Sequence, residues 1–392
     1  MIINTAKRIG TVKEYFFSRK LKEIAQLRAA GKAIINLGIG SPDLPPADAV
    51  IERLQNASAD KNNHAYQSYV GIPELRTAFA QWYQTHFDLT LHPDQELLPL
   101  MGSKEGIMHI SMTFLETGDE VLIPNPGYPA YRATANLAGA TTRTYELSEE
   151  SGWLPDLEGL AQQDLSKVKI MWVNYPHMPT GTPASRQLFE ALIAFGHQHQ
   201  ILICNDNPYS FILNDEPLSL LAMDGAKEVA LELNSLSKSH NMAGWRIGVL
   251  AGQADYLQEI IKFKSNMDSG MFRPLQLAAV EALANPRSWY IDQNVIYRQR
   301  QMRAFELLDL LNCRYDRQQC GMFVWARIPK TYENGFEMSD ELLQRSGVFI
   351  TPGGIFGSAG DQYLRISLCS SLKRLDQAMK WIQKTYVTTS AR

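Results

Sequence analysis

Along most of the chain, short apolar runs alternate with longer stretches whose apolar residues recur at helical spacing, an alternation of strands and helices of the α/β kind. From Lys13 to Ala30 the spacing predicts an amphipathic helix ended by Gly31, with Phe16, Leu21, Ile24 and Leu27 near one face. A short strand is expected from Ala33 to Leu37, followed by the loop GIGSPDLPP, where Gly38 and Gly40 permit close backbone approach and the prolines stiffen the chain. Pro73 suits the first turn of a helix running toward Tyr83. LLPLMGSKEGIMHISMTFL reads as strand, glycine turn and helix, EVLIP as a strand, and Trp153 to Leu165 as loop and helix. KVKIMWVNYP is short and apolar enough to be a buried parallel strand. A helix over Ser185 to His199 precedes the strand ILICND; EVALELNSLSK and WRIGVLAG supply two more strands. A helical region from Tyr256 is bent at the polar, glycine-containing middle of KSNMDSGMFRPLQLAAVEAL. The helix from Arg287 to about Leu311 then links to a strand-helix-strand unit: GMFVWARI, a helix near Asp340 to Ser346, then VFITPGGIFG and YLRISLC.

The length of 392 residues exceeds one ordinary core and predicts two domains. A net charge of −3 from nearly balanced totals, with no basic run, argues against nucleic acid and for a small-molecule partner. Cys204, Cys313, Cys320 and Cys369 are scattered, so neither a zinc site nor a disulfide framework is expected. The first residues lack an apolar h-region and no stretch reaches membrane-span length; a cytoplasmic protein is expected. Internal repeats and low-complexity segments are absent from the sequence.

Chemistry concentrates in NSLSKSHNMAGWRIG, residues 234–248. Lys238 is flanked by Ser235, Ser237 and Ser239 and followed by Arg246, a setting that suits an anion beside an amine. A lysine near a fixed cation and partly desolvated loses proton affinity and becomes a nucleophile toward a carbonyl. Gly102, Ser103 and Lys104 fall at a helix N-terminus, where free N–H groups favour a phosphate. Asp206 and Tyr209 fall just past the end of a strand, where α/β sheets place ligands. Leu364 and Ile366 flank Arg365 in strict alternation, so Arg365 points to the opposite face.

These segments, in order from Gly38 to Arg365, resemble the pyridoxal-phosphate-dependent aminotransferases of fold type I, the class I/II, aspartate-aminotransferase-like family. The resemblance implies a large domain, residues 46–286, with a mostly parallel central sheet flanked by helices, and a smaller α+β domain from 1–45 and 287–392. It implies a Schiff base between Lys238 and pyridoxal 5′-phosphate. The phosphate is expected on Ser103, Lys104, Ser235, Arg246 and a Tyr66 that reaches across a homodimer interface. Tyr128 matches the aromatic stacked on the pyridine ring. Asp206 matches the carboxylate that keeps the ring nitrogen protonated, and Tyr209 a donor to the ring oxygen. Gly40 and Arg365 match the groups that hold the substrate carboxylate, the latter through a bidentate pair. One position departs from the pattern. Where the family reads N-P-T-G, this chain has Met178, whose thioether donates no hydrogen bond. Asn174, four residues earlier, is the candidate replacement.

The implied reaction moves an amino group between an L-amino acid and a 2-oxo acid with ping-pong kinetics, Lys238 serving as proton carrier. A carbon–sulfur β-lyase on the same fold is the alternative, since protein context selects which bond to Cα breaks. A non-catalytic regulatory domain is a further reading, disfavoured because the chain leaves no N-terminal room for a helix-turn-helix module. Arg273 is the candidate for a second substrate carboxylate.

Overall fold

The computed structural model describes residues 2–386. Seven strands form the central sheet, in the spatial order Leu97–Leu100, Gly248–Gly252, Ala230–Ser235, Leu202–Asp206, Val168–Val173, Glu120–Asn125 and Thr141–Glu146. All neighbours pair in parallel except Gly248–Gly252, which is antiparallel to both of its partners. The sheet is therefore mostly parallel, and its central strands are buried on both faces, with Ile170, Met171, Trp172 and Val173 fully so. The edge strand Thr141–Glu146 was not expected from sequence. Its residues, TTRTYE, are mostly polar and solvent-facing, as an edge position tolerates.

One large core lies on each face of this sheet, and a third joins Ile35 and Leu37 to the C-terminal part of the chain from Tyr297 onward. That third core packs against a four-stranded antiparallel sheet containing Phe323–Arg327 and Tyr363–Ser367. The helix Arg287–Leu310 runs from the first core, which Tyr290 joins, into the third, which Tyr297 joins.

The expected helices form, with three informative differences. The first begins at Phe16, because Tyr15 is extended and its ring is held by Lys104, whose Nζ lies 5.0 Å from the ring centroid. Ile24 faces the core with Phe16 and Leu27 against it, whereas Leu21 stays exposed. The helix expected near Asp340 starts earlier, at Gly335, where the Asn334 side chain caps it by accepting from the Glu337 N–H. The polar segment between Lys264 and Arg273 breaks helicity, as its glycine and serine content predicts.

Helix Ser103–Phe114 sits tightly on the sheet at Gly106, where an added Cβ would lie 2.4 Å from Leu233 and 2.6 Å from Leu100. A Gly106→Val substitution is expected to overpack this layer and lower stability by about 1–3 kcal/mol. Gly10, with nothing near its Cβ position, should accept alanine within about 0.5 kcal/mol. Urea unfolding of the two variants checks the contrast, and equal midpoints would refute it.

Candidate functional site

Parallel strands end together, and their C-terminal ends deliver side chains to one crevice. Asp206 closes its strand, Asn174 follows Val173, and Ser103 opens the helix after Leu100. The strand Ala230–Ser235 passes directly into a helical turn, Leu236–Ser239, that carries Lys238. The third core contributes Arg365 from strand Tyr363–Ser367, while Gly40 comes from the N-terminal loop. Ser103, Lys104, Tyr128, Asn174, Asp206, Tyr209, Ser235, Lys238, Arg246, Gly40 and Arg365 all line one cavity of about 310 Å³. Tyr66 does not; it is 91% exposed on the surface. Arg273 is also elsewhere, paired with Glu74 at 3.1 Å. A larger cavity, about 1070 Å³, lies beside Trp82, His86 and Tyr290, but it holds none of these groups.

The electrostatics of the small cavity are unusual for a protein interior. Burial lowers the proton affinity of the Lys238 amine, and Arg365 and Arg246 lower it further, against the opposing pull of Cys369 and Asp206. Its Nζ donates to the Gly40 carbonyl at 2.6 Å. Asp206 is pushed up to about 7 because burial disfavours its charge, with the Tyr131 hydroxyl, donating at 3.1 Å, and Lys238 opposing. The other oxygen, Oδ1, is buried without a partner. Arg365 is only 4% exposed, and desolvation lowers it to about 10, so it remains charged at neutral pH. Its guanidinium lies 3.7 Å from the Phe323 ring centroid and 4.6 Å from that of Phe356. Both faces of the strand bearing Arg365 are buried, so the expected alternation selects a second buried surface rather than solvent.

Arg246 adopts φ +60°, a left-handed conformation uncommon for a non-glycine residue and typical of functional sites. It donates to the Ala243 carbonyl at 3.0 Å and to Ser237 Oγ and the Met101 carbonyl at 3.4 Å each. Among the described residues it pairs with no carboxylate. Gly102, at φ +86°, has room for nothing larger: a Cβ there would lie 2.2 Å from Arg246 Nη2. The helix N-terminus at Ser103, the Ser235 and Ser237 hydroxyls and this unneutralised guanidinium thus form a cradle for a phosphate. With an amine to capture an aldehyde and an orphaned carboxylate oxygen for a ring N–H, the residues fit pyridoxal phosphate.

Met178 is buried, and its sulfur accepts from Arg365 Nη1 at 3.2 Å. Asn174 commits its side chain to the backbone, donating to the Asp206 carbonyl and accepting from the Met178 N–H at 2.9 Å. Sequence reasoning missed Tyr15, which reaches the cavity from just before the first helix, Phe17 and Leu21, which reach it from that helix, and Phe323 and Phe356, which flank Arg365. No spacing signal marks them, because each is an apolar residue in an element already explained by packing. Behind the cradle, Glu105, His109 and Asp268 bring ligand-type atoms within 4.8 Å of one another. There Lys264 supplies the cation, 2.6 Å from Asp268, and the cluster ties the cradle helix to the 265–272 segment. Cys204, Cys313, Cys320 and Cys369 are all buried.

Because Asp206 is protonated more readily folded than unfolded, its contribution to stability is greatest below the unfolded carboxyl value of about 3.9 and is lost as pH rises toward about 7. Cofactor-free protein should therefore lose on the order of 2–4 kcal/mol across that window relative to Asp206→Asn. Parallel urea titrations of the two proteins from pH 4.5 to 7.5 measure the difference, and identical pH slopes would contradict it.

Residues 32–382 match the family described as aminotransferase class I and II. The LL-diaminopimelate aminotransferase of Dehalococcoides mccartyi is 42% identical over 366 residues, covering 93% of this chain and 94% of that protein. The enzyme of the same name from Natranaerobius thermophilus is 39% identical over 382 residues, 97% of this chain and 99% of its own. Among solved structures, apo-BacF from Bacillus subtilis superimposes with a TM-score of 0.94 at 35% identity, covering 98% of each chain. A Thermus thermophilus aspartate aminotransferase mutant gives 0.91 at 25% identity over 98% of this chain and 100% of that one. The transferase reading, not the lyase alternative, is what relatives of this name support, and a match that runs nearly end to end leaves one assignment: the chain belongs to the class I and II aminotransferases, pyridoxal-phosphate-dependent enzymes of fold type I that move amino groups between amino acids and 2-oxo acids.

Proposed function

We propose that the residues gathered in the cavity divide the work of transamination as follows. Ser103, Lys104, Ser235 and Arg246 hold the cofactor phosphate, joined by Tyr66 of a second subunit. Asp206 faces the ring nitrogen, Tyr128 covers the ring, and Tyr209 with Asn174 lies toward the ring oxygen. Arg365 and the Gly40 backbone receive the substrate α-carboxylate. The observation that carries this reading is the unpaired Oδ1 of Asp206 in the same cavity as a desolvated Lys238 amine.

Pyridoxal phosphate supplies, when bound, an aldehyde that captures amines and a ring that accepts electron density from Cα. The Lys238 amine, its proton affinity reduced, takes the proton from the substrate Cα and returns it one position away. Arg365 fixes the carboxylate so that Cα is presented in one orientation, and its planar fork makes lysine a poor substitute. The aromatic walls exclude water, which strengthens every charge interaction within. The oxo acid leaves before the second substrate enters, giving ping-pong kinetics.

The dimer is supported by an exposed apolar surface around Tyr66: Tyr69, Met267 and Phe272 are 42%, 49% and 41% exposed. The two segments that carry it touch, since a Cβ on Gly270 would lie 2.5 Å from the Gln67 carbonyl oxygen. We assign residues 46–286 to a large domain and 1–45 with 287–392 to a small one, with the cavity between their cores. Among the described residues no helix is long and apolar enough to cross a membrane, and we assign the protein to the cytoplasm.

Lys238→Ala is expected to abolish turnover and the covalent attachment of the cofactor, whereas the cofactor should still bind through the remaining cradle. Retained transamination would remove Lys238 from its role. Met178→Asn introduces a donor where the thioether has none, so the pH midpoint of the holoenzyme's visible absorbance should fall. Spectrophotometric titration measures it; an unmoved midpoint would mean that another group already satisfies the site.

A further inference from the structure

The helix Ser103–Phe114 begins without a side-chain cap. Its N-cap position is Gly102, which has no side chain to accept from the opening turn, so the first N–H groups stay available to a ligand. A turn left open in this way has to be held from elsewhere, because an anion is gripped well only where the N–H groups already converge on it. Packing supplies part of that hold: a Cβ on Gly248 would lie 2.9 Å from the Ser103 nitrogen, so the neighbouring strand backs the turn closely. Glu105, the third residue of the helix, supplies a hydrogen bond. Its Oε2 reaches back past Gly102 and accepts from the Met101 N–H, while the Met101 carbonyl accepts from Arg246 Nη2 at 3.4 Å. Met101 is thus gripped on one side by a carboxylate and on the other by the guanidinium of the phosphate cradle.

Glu105 is in turn fixed from behind. Its side chain is only 10% exposed, and Oε1 faces Nε2 of the fully buried His109 at 3.2 Å, one helical turn along. Asp268 adjoins it within hydrogen-bonding reach, with the Lys264 ammonium 2.6 Å from one Asp268 oxygen and the Gly270 N–H donating to the other at 3.0 Å. Swinging away from Met101 would cost the carboxylate these neighbours. Charge alone does not explain the placement. A carboxylate in the first turn suits the helix dipole but repels a phosphate bound at the same end. What it offers the cradle is its reach to the Met101 N–H.

We propose that Glu105 is a positioning residue for the cofactor phosphate. By fixing the Met101–Gly102 turn it makes the N–H groups of Ser103 and Lys104 converge with the Arg246 guanidinium on one anion. Glu105 acts through the backbone, since it does not itself line the cavity. The inference rests on the reading of this cradle as the phosphate site.

Two conservative changes separate reach from charge. Glu105→Asp keeps the charge but is one methylene too short to meet the Met101 N–H, whereas Glu105→Gln keeps an accepting oxygen there without the charge. In fluorescence titrations of the apoprotein, Glu105→Asp should raise the Kd of pyridoxal 5′-phosphate at least about tenfold, and Glu105→Gln should stay within about threefold of the parent protein. Pyridoxal, which lacks the phosphate, should bind the parent and both variants within about twofold of one another. A merely structural role would weaken both ligands together. Equal loss of pyridoxal affinity in Glu105→Asp, or Glu105→Gln weakening the phosphate ester as much as Glu105→Asp does, would overturn the proposal. Arg246→Gln tests the reading beneath it. If that variant kept the full preference for the phosphate ester over pyridoxal, the cradle assignment itself would fail. If Arg246→Gln erased the preference while Glu105→Asp left it unchanged, the cradle would stand and the role of Glu105 would fall.

Discussion

The structure depends on keeping the Lys238 amine, the Asp206 carboxylate and the Arg365 guanidinium desolvated in one cavity that the exposed Arg246 also lines. Such a grouping resists burial, since each charge gives up hydration and the cations repel one another. Here Lys238 is held by the Gly40 carbonyl, Arg365 by the Gly38 carbonyl and aromatic faces, and Arg246 by the Ala243 and Met101 carbonyls. Asp206 sheds charge instead, its proton affinity raised by burial. The backbone thus supplies most of the compensation, which fixes the groups in position while leaving the cationic charge unneutralised for anionic ligands.

Met178 alters that balance at one point. The family's usual asparagine would offer a donor; the thioether accepts from Arg365 instead. Asn174, although near, spends its carbonyl and an N–H on the chain that connects Val173 to Met178 and on Asp206. Its side chain therefore holds the two strand ends in register more than it replaces the missing donor. Arg365 acquires a soft, apolar neighbour, in keeping with the phenylalanines packed around it.

Much of the site was legible because parallel α/β architecture ties function to strand ends. A charged residue immediately after an apolar run, as at Asp206 or in the turn carrying Lys238, is at a strand end whatever the rest of the chain does. A glycine before a helix, as at Gly102, similarly announces a free N-terminus. Tyr15 and Phe17 carried no such mark. They fell within the predicted helix without a place on its apolar face, and only their closeness in space to Tyr128 and Arg365 gives them a role. Tyr66 was nameable by family likeness alone, since it stands exposed outside the cavity.

The sequence by itself determined most element types and the chemistry of the candidate reactive groups, because periodicity, turn residues and side-chain chemistry are local properties, while the mostly parallel sheet came from family likeness and the edge strand Thr141–Glu146 stayed hidden. Tertiary structure decided which groups share a cavity, which carry altered proton affinity and what lines the far wall. Those depend on desolvation and on contacts between residues hundreds of positions apart, such as Lys238 with Gly40 and Arg365 with Met178.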